Sequence, residues 1–462
     1  MKRLNIVWIG LAAIVLTGCK SLYGKYERPQ VQTDGIMRDA TAPAGTEADD
    51  ESFGDLPWRS VFTDAQLQNL IETALENNPD LLNAALNVKI ADAQLMASKL
   101  AFLPQFTFTP QGTIASWDGQ KATQTYQLPV SASWTIDLFG NLLSQERAAQ
   151  VSLLSLKDYQ VATQASIISS VANMYYTLLM LDKQLEVIND MEMLTKDTWE
   201  TMKVLKETRT GYRSTSVQSA ESNYYSVKAQ RIDLVRQIRE VENSLSLLLG
   251  QPAQAIARGR LDNQSLPSEF ATGIGIQLLS KRADVHAAEM KLANCFYGIE
   301  TARSRFYPQI TISPTGMFTN SSGAGIVNPG KWLLSAVGSL VQPIFMKGQL
   351  VAGLKVAQAQ YEQAYNSWQS SVLKAGSEVS NALVQYHSSD EKSRVEAEQI
   401  KVLEQNVKDT RELFTNSGNS TYLEVIQAQS SLLNVQLSKI TDDFYKMQAV
   451  VSLYQALGGG AK

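Results

Sequence analysis

Asp80 to Gly112 recurs as Asp284 to Gly316, at a constant offset of 204 and without a gap. Asp80, Ala84, Phe102, Pro104, Gln105, Thr107, Pro110 and Gly112 meet Asp284, Ala288, Phe306, Pro308, Gln309, Thr311, Pro314 and Gly316. Between those identities Leu95 answers to Ile299 and Lys99 to Arg303. The period is far longer than a solenoid unit, which runs to roughly 20–50 residues. It marks a duplicated half-chain. Each half reads as a helix that ends abruptly in an alternating strand, so the fold must build one wall from two equivalent parts.

The helix from about Asp80 reaches Leu103, where Pro104 stops it. Asn77-Asn78-Pro79-Asp80 ends the preceding amphipathic helix (Leu67, Leu70, Ile71, Leu75) and caps this one, with Pro79 expected just outside it. Beyond Pro104, Phe106, Phe108 and Ile114 alternate with Thr107, Thr109 and Thr113. Past a turn region, Tyr126, Leu128, Val130, Ala132, Trp134, Ile136 and Leu138 face one way, and Thr125, Gln127, Ser131, Ser133, Thr135 and Asp137 the other. The second half repeats the hairpin around a Ser-, Gly- and Asn-rich loop, Asn320 to Gly330. Strands are expected at about 105–117, 124–138, 309–319 and 331–342. Strands of about ten residues with one apolar and one polar face are the pattern of a transmembrane β-barrel. Trp117, Tyr126, Phe318 and Trp332 are candidates for its interfacial aromatics. Four strands cannot close a barrel, because the smallest single-chain ones have about 8. Several chains must share one.

The remainder is helical. Asn141 to Thr210 holds neither Pro nor Gly, and 70 such residues extend about 105 Å. From Ile344 to the C-terminus there is again no Pro. Runs of this length imply coiled-coil or tubular packing. Each breaks once, at Thr210-Gly211-Tyr212-Arg213 and at Ser417-Gly418-Asn419-Ser420, where Gly supplies a left-handed C′ residue. The returning helices open with capping boxes, Thr215 to Gln218 and Thr421 to Glu424. Each half therefore contains a helical hairpin whose tip, marked by Gly211 and Ser214 or by Gly418 and Thr421, lies far from the strands. The domain plan is a signal peptide (1–18), a tether (19–55), a first repeat (56–250), an irregular linker (251–280) and a second repeat (281–462).

The N-terminus says where such a chain goes. A basic start, an apolar run and then Leu16-Thr17-Gly18-Cys19 follow the plan of a signal peptide, and the apolar run is too short to cross a bilayer. Leu16, Thr17, Gly18 and Cys19 resemble a bacterial lipobox, which makes Cys19 the lipidated first residue of the mature chain. Lys20 stands where an Asp would retain a lipoprotein at the inner membrane, which favours the outer membrane. Cys295 is the other cysteine, so a disulfide framework is excluded, and Cys295 reads as a small buried apolar residue. A net charge of -4 without a long basic run excludes nucleic acid as the expected partner. The two histidines, His286 and His387, lack metal-ligand spacing, and no hydrolase or nucleotide-binding motif occurs. No catalytic residue, cofactor or metal is expected; His286 reads as structural.

Leu279-Ser-Lys-Arg-Ala-Asp284-Val-His-Ala-Ala-Glu289, then Ala302-Arg303-Ser-Arg-Phe-Tyr-Pro308-Gln309-Ile310, resembles the signature of the TolC-like outer-membrane efflux family, in its OprM/NodT lipoprotein branch. Tyr26-Glu-Arg-Pro29, Trp58 with Phe62-Thr-Asp64, Trp134-Thr-Ile-Asp137-Leu-Phe-Gly140, Leu247 to Pro252 and Leu453 to Gly460 are similar to that branch in the same order. The resemblance covers essentially the whole chain. It implies a mainly α fold with a membrane β-barrel, in which three copies form a twelve-stranded barrel and a periplasmic helical tunnel. It implies a passive duct for small molecules that serves a periplasmic adaptor and an inner-membrane pump of the resistance-nodulation-division type. It also implies a closed tip in which leucine and acidic rings narrow the pore. Leu423 stands at the leucine position, Gln427 replaces the acid one turn later, and Glu424 serves either as a nearby acid or as the capping residue. A type I protein-secretion duct and a structural helical surface lipoprotein are the alternative functions.

Overall fold

The computed structural model describes residues 24–30, 53–116, 118–208, 213–265, 267, 282–319, 331–417 and 421–460. Cys19, the lipobox residues Leu16, Thr17 and Gly18, the tip glycines Gly211 and Gly418, and Trp117 lie outside them. The helices are α1 (Trp58–Val61), α2 (Ala65–Asn77), α3 (Pro79–Leu100), α4 (Asn141–Thr208), α5 (Ser214–Leu248), α6 (Ala283–Ser304), α7 (Gln349–Glu412) and α8 (Tyr422–Ala456). The strands are β1 (Gln105–Phe108), β2 (Gln111–Ala115), β3 (Thr123–Ile136), β4 (Gln309–Thr319) and β5 (Lys331–Val341).

The duplication is visible in these bounds. α3 and α6 start and end 204 positions apart, and β1 and β4 begin 204 apart. α4 and α7 start 208 apart, and α5 and α8 keep that offset at both ends. The four extra residues of the second copy fall between its two strands, where a longer connection leaves the pairing register untouched.

The chain divides into two compact units, and each draws on both repeats. The first contains 24–30, Leu86–Asp158 and His286–Ser370. Its centre is an antiparallel sheet in which β1 and β2 both pair with β3, β3 with β4, and β4 with β5. The first strand, expected as one piece from 105 to 117, is broken at Thr109-Pro110. β1 and β2 keep one common register on β3 (Phe108↔Val130, Gln111↔Gln127), so the break is a lapse in the ladder rather than a bulge. Pro110 has no N–H to give. Its repeat-mate Pro314 coincides with the gap in the β3–β4 ladder between Ser131↔Thr315 and Trp134↔Ile312.

The register puts even-numbered residues of every strand on one face. Phe106, Phe108, Ile114, Leu128, Val130, Trp134, Ile310, Ile312, Phe318, Leu334 and Leu340 lie there. The odd-numbered face carries Thr107, Ser131, Thr311, Thr315 and Ser339, and on β5 also the exposed Val337 and Val341. Ser131 and Thr315 hydroxyls meet across the odd face at 3.1 Å. The even face is bare: Phe106 is 70% and Ile114 74% exposed. Beside the sheet, Ala91, Leu95 and Leu153 form a small core. The segment 24–30 is fastened to α6 by an Arg28 fork on Glu289, with Nε at 2.8 Å from Oε1. The Arg147 guanidinium donates to the Gly24 carbonyl. Cys295, expected to be buried, is half-buried on α6, and burial pushes its thiol up.

The second unit comprises the described parts of Gln32–Ala85, Tyr159–Val285 and Ser371–Lys462. Phe53, Trp58, Phe62, Leu67, Ile71, Tyr175, Tyr176, Leu179, Leu245 and Tyr454 form its main core. Each such side chain contributes about 1.5–3 kcal/mol by leaving water. Several polar groups inside are paired. Tyr454 donates its hydroxyl to the Leu56 carbonyl and accepts from Gly460 N–H. Tyr175 donates to Asp64 Oδ2 at 2.6 Å, and Arg258 joins Asp182 to the buried Glu242. Asn78 is the cap of α3: its Oδ1 accepts from Asp80 and Leu81 N–H, and its amide donates to Leu248 O. Pro79 is thus inside the helix at its first position, not outside it, where a missing N–H costs nothing. The helix ends at Leu100, before the expected Leu103, and residues 101–103 turn toward Pro104. Residues 251–265 of the linker contain only a 3-10 turn, Leu261–Asn263.

Candidate functional site

The ends of α4 and α7 and the starts of α5 and α8 form the site. α7 closes with a π turn, Leu413–Ser417, a rare form found mostly at functional positions. α8 opens on Thr421, whose Oγ1 accepts from Glu424 N–H at 3.4 Å while Glu424 Oε2 accepts from Thr421 N–H at 3.0 Å. The capping box expected there is present. Its counterpart in the first repeat is not: Arg213 caps α5 without a side-chain bond, and Thr215 lies within the first turn. The helix starts two residues earlier than a Thr215 cap requires, with Ser214 as its first residue.

The first turns of α8 have two characters. Tyr422, Val425 and Ala428 are buried, the first two against Met202, Leu205, Ala220 and Phe414. Burial pushes the Tyr422 phenol up. Gln429 is fully buried and donates to Thr198 Oγ1 at 3.0 Å, so α8 is tied to α4. Leu423 faces the other way and is 72% exposed. Gln427, four residues on, shares its exposed face. Glu424 is also exposed, with its carboxylate engaged by the cap. At the repeat offset of 208, Leu423 answers to Thr215, so the first repeat carries a polar side chain at that position.

Other residues at the tip were not singled out from the sequence. Trp199 stacks on Tyr224 with centroids 5.5 Å apart, and Lys203 Nζ stands 3.4 Å over its ring. Arg411 at the end of α7 pairs with Asp197 of α4. Trp199 and the Tyr224-Tyr225 pair were legible as an aromatic excess near a break. The ion pair joins residues 214 apart and leaves no local signal. His286, on α6, pairs with Asp158 Oδ2 at 2.6 Å, in keeping with a structural role.

The outer membrane efflux protein model matches residues 70–251 and 276–459, one stretch in each repeat. The chain belongs to this family. The cation efflux system protein CusC of Escherichia coli O157:H7 is 28% identical over 461 residues, covering 97% of this chain and 97% of that one. The probable outer membrane lipoprotein SilC of Salmonella typhimurium is 26% identical over 469 residues, covering 100% and 99%. A crystal structure of CusC superposes with a TM-score of 0.83 at 24% identity, over 94% of this chain and 99% of that chain. That likeness shows a common fold, mainly helical with a small sheet. As a member of the outer membrane efflux family, the chain is a channel component of outer-membrane efflux, and the family and its relatives are transport proteins.

Proposed function

We propose that three copies of this chain form one passive outer-membrane duct, lipid-anchored through Cys19. In this reading the duct receives small molecules from a periplasmic adaptor and an inner-membrane pump of the resistance-nodulation-division type. The single observation that carries the shared barrel is the sheet, and the number three is what the family resemblance implies. β1/β2 and β5 are its two unpaired edges, and its even-numbered face is apolar and bare. Lipid tolerates no open sheet edge, so a barrel must be closed by further copies. α7 adds exposed Leu373, Val384 and Val395 at intervals of 11, a helical stripe without a cover in the single chain. The probable lipoprotein SilC supports the anchor at Cys19.

The gate in this reading is Leu423. Three such side chains around an axis form an apolar constriction that closes a pore by dewetting. Gln427, one turn inward, adds an uncharged ring where relatives of the branch place acids. Native mass spectrometry of detergent-extracted protein, with conductance recorded on the same fraction, tests the assembly. The expected mass is that of three lipidated chains. A monomer that conducts would overturn the proposal.

A further inference from the structure

α7 and α8 face each other through a dense group of charges between Asp390 and Lys446. Most of it is internally paired. Lys446 Nζ donates to Asp390 Oδ1 and Arg394 meets Asp390 Oδ2, while Ser393 and Lys439 donate to the two oxygens of Asp443. Two carboxyl groups depart from this pattern. Asp442 on α8 is 4% exposed and accepts from Lys392 Nζ at Oδ1, 2.9 Å away. Glu396 on α7 is half-buried and accepts from Ser438 Oγ at Oε1, 2.7 Å away. Their other oxygens, Glu396 Oε2 and Asp442 Oδ2, are closed to solvent and receive no properly directed hydrogen bond. Lys392 Nζ comes within 2.7 Å of Asp442 Oδ2, as an ion-pair contact off the hydrogen-bond direction. The two carboxyl groups are set on facing turns: Glu396 is held by Ser438, four residues before Asp442, and Asp442 is held by Lys392, four residues before Glu396.

An ionised carboxylate only accepts hydrogen bonds, so a bond between two carboxyls requires a proton. We propose that Glu396 and Asp442 hold one proton between them, and that this shared proton joins α7 to α8. Two carboxylates in contact cannot both ionise cheaply. Burial pushes Glu396 up, the Asp442 charge adds to this, and Ser438 and Lys392 oppose it. Lys392 is 60% exposed at its side chain, so solvent weakens its counter-charge. The charged groups facing Glu396 are Lys392 on its own helix and Asp442 on α8, with Tyr445 near Lys392. α4, also packed against α8, meets it with uncharged groups: Gln184 on Thr441, and Ile188 and Met191 on Leu433. A raised folded-state value means that this link is complete below the ordinary glutamate value of 4.5 and is lost as pH rises through the shifted one. The proton site stands independently of the gate at Leu423.

The test uses the full-length protein in detergent. Infrared spectra across about pH 4–9 follow the protonated carboxyl, and hydrogen exchange of 390–400 and 438–446, corrected for intrinsic rates, follows the helix contact. Wild type should show a protonated-carboxyl band that disappears as pH rises, with protection falling up to about tenfold per pH unit beyond the midpoint. Glu396→Gln supplies a permanent amide donor to Asp442, so it should lack the band and hold its protection flat. Absence of the band in wild type, or an equal fall in Glu396→Gln, would overturn the shared proton. Should that variant not fold, Ser438→Ala removes the hydroxyl that favours the ionised form, so the midpoint must move upward. An unmoved midpoint counts equally against the proposal.

Discussion

Leu423→Ala separates gating from folding. Leu423 is 72% exposed, so truncation forfeits only about a quarter of the ~2 kcal/mol that a buried leucine contributes, roughly 0.5 kcal/mol. The Thr421–Glu424 box stays intact, because neither partner is touched. Val425, two residues on, is the control. It is 1% exposed within the tip core, and Val425→Ala removes two methyl groups at about 0.8 kcal/mol each plus a cavity, ~2 kcal/mol in all. The variants should therefore behave oppositely. Leu423→Ala should keep the wild-type unfolding midpoint and conduct more in planar bilayers. Val425→Ala should unfold at lower temperature. If Leu423→Ala channels conduct like wild type while remaining folded, the constriction lies elsewhere and the positional resemblance is misleading.

Cys19→Ala should abolish acylation and reduce the outer-membrane fraction; an unmodified Cys19 in outer-membrane wild type, seen by mass spectrometry, would refute the anchor. Gly250→Ala should lower the thermal midpoint by an amount corresponding to about 1–3 kcal/mol. Its φ is +68° and the new methyl would stand 2.6 Å from the Asn77 carbonyl oxygen. Arg258→Met strands the buried Glu242, whose side chain is 7% exposed, and should cost about 3 kcal/mol in denaturant unfolding. A midpoint near wild type would show that the two acids reach other partners.

Local signals carried most of the elements. The prolines at 104 and 308, the two-residue alternation and the long runs without Pro or Gly were read directly as helix ends, strands and hairpin arms, and their bounds agree within a few residues. The misreadings were also local. Pro110 was counted through as strand, although it could not sustain a ladder. Thr215 was read as a cap from a four-residue pattern that Thr421 shares, yet α5 starts one residue before it. What stayed hidden depends on distant pairs. The Arg411–Asp197 bond and the Ser438–Glu396 bond join residues whose meeting is decided by packing. The division into units was also illegible, because each unit gathers parts of both repeats.

The equal arms of the duplication limit how this chain can change length. α5 and α8 both have 35 residues, and α3 and α6 both have 22. Losing one residue from α5 alone would rotate everything beyond it by about 100° and shift it by about 1.5 Å relative to α8. The buried face of one arm would then meet the wrong side of the other. A residue deleted from both arms at matching positions keeps them in phase with one another. Tolerated length changes should therefore come in pairs 208 apart, or fall in the strand-to-strand connection, where four residues have already been absorbed.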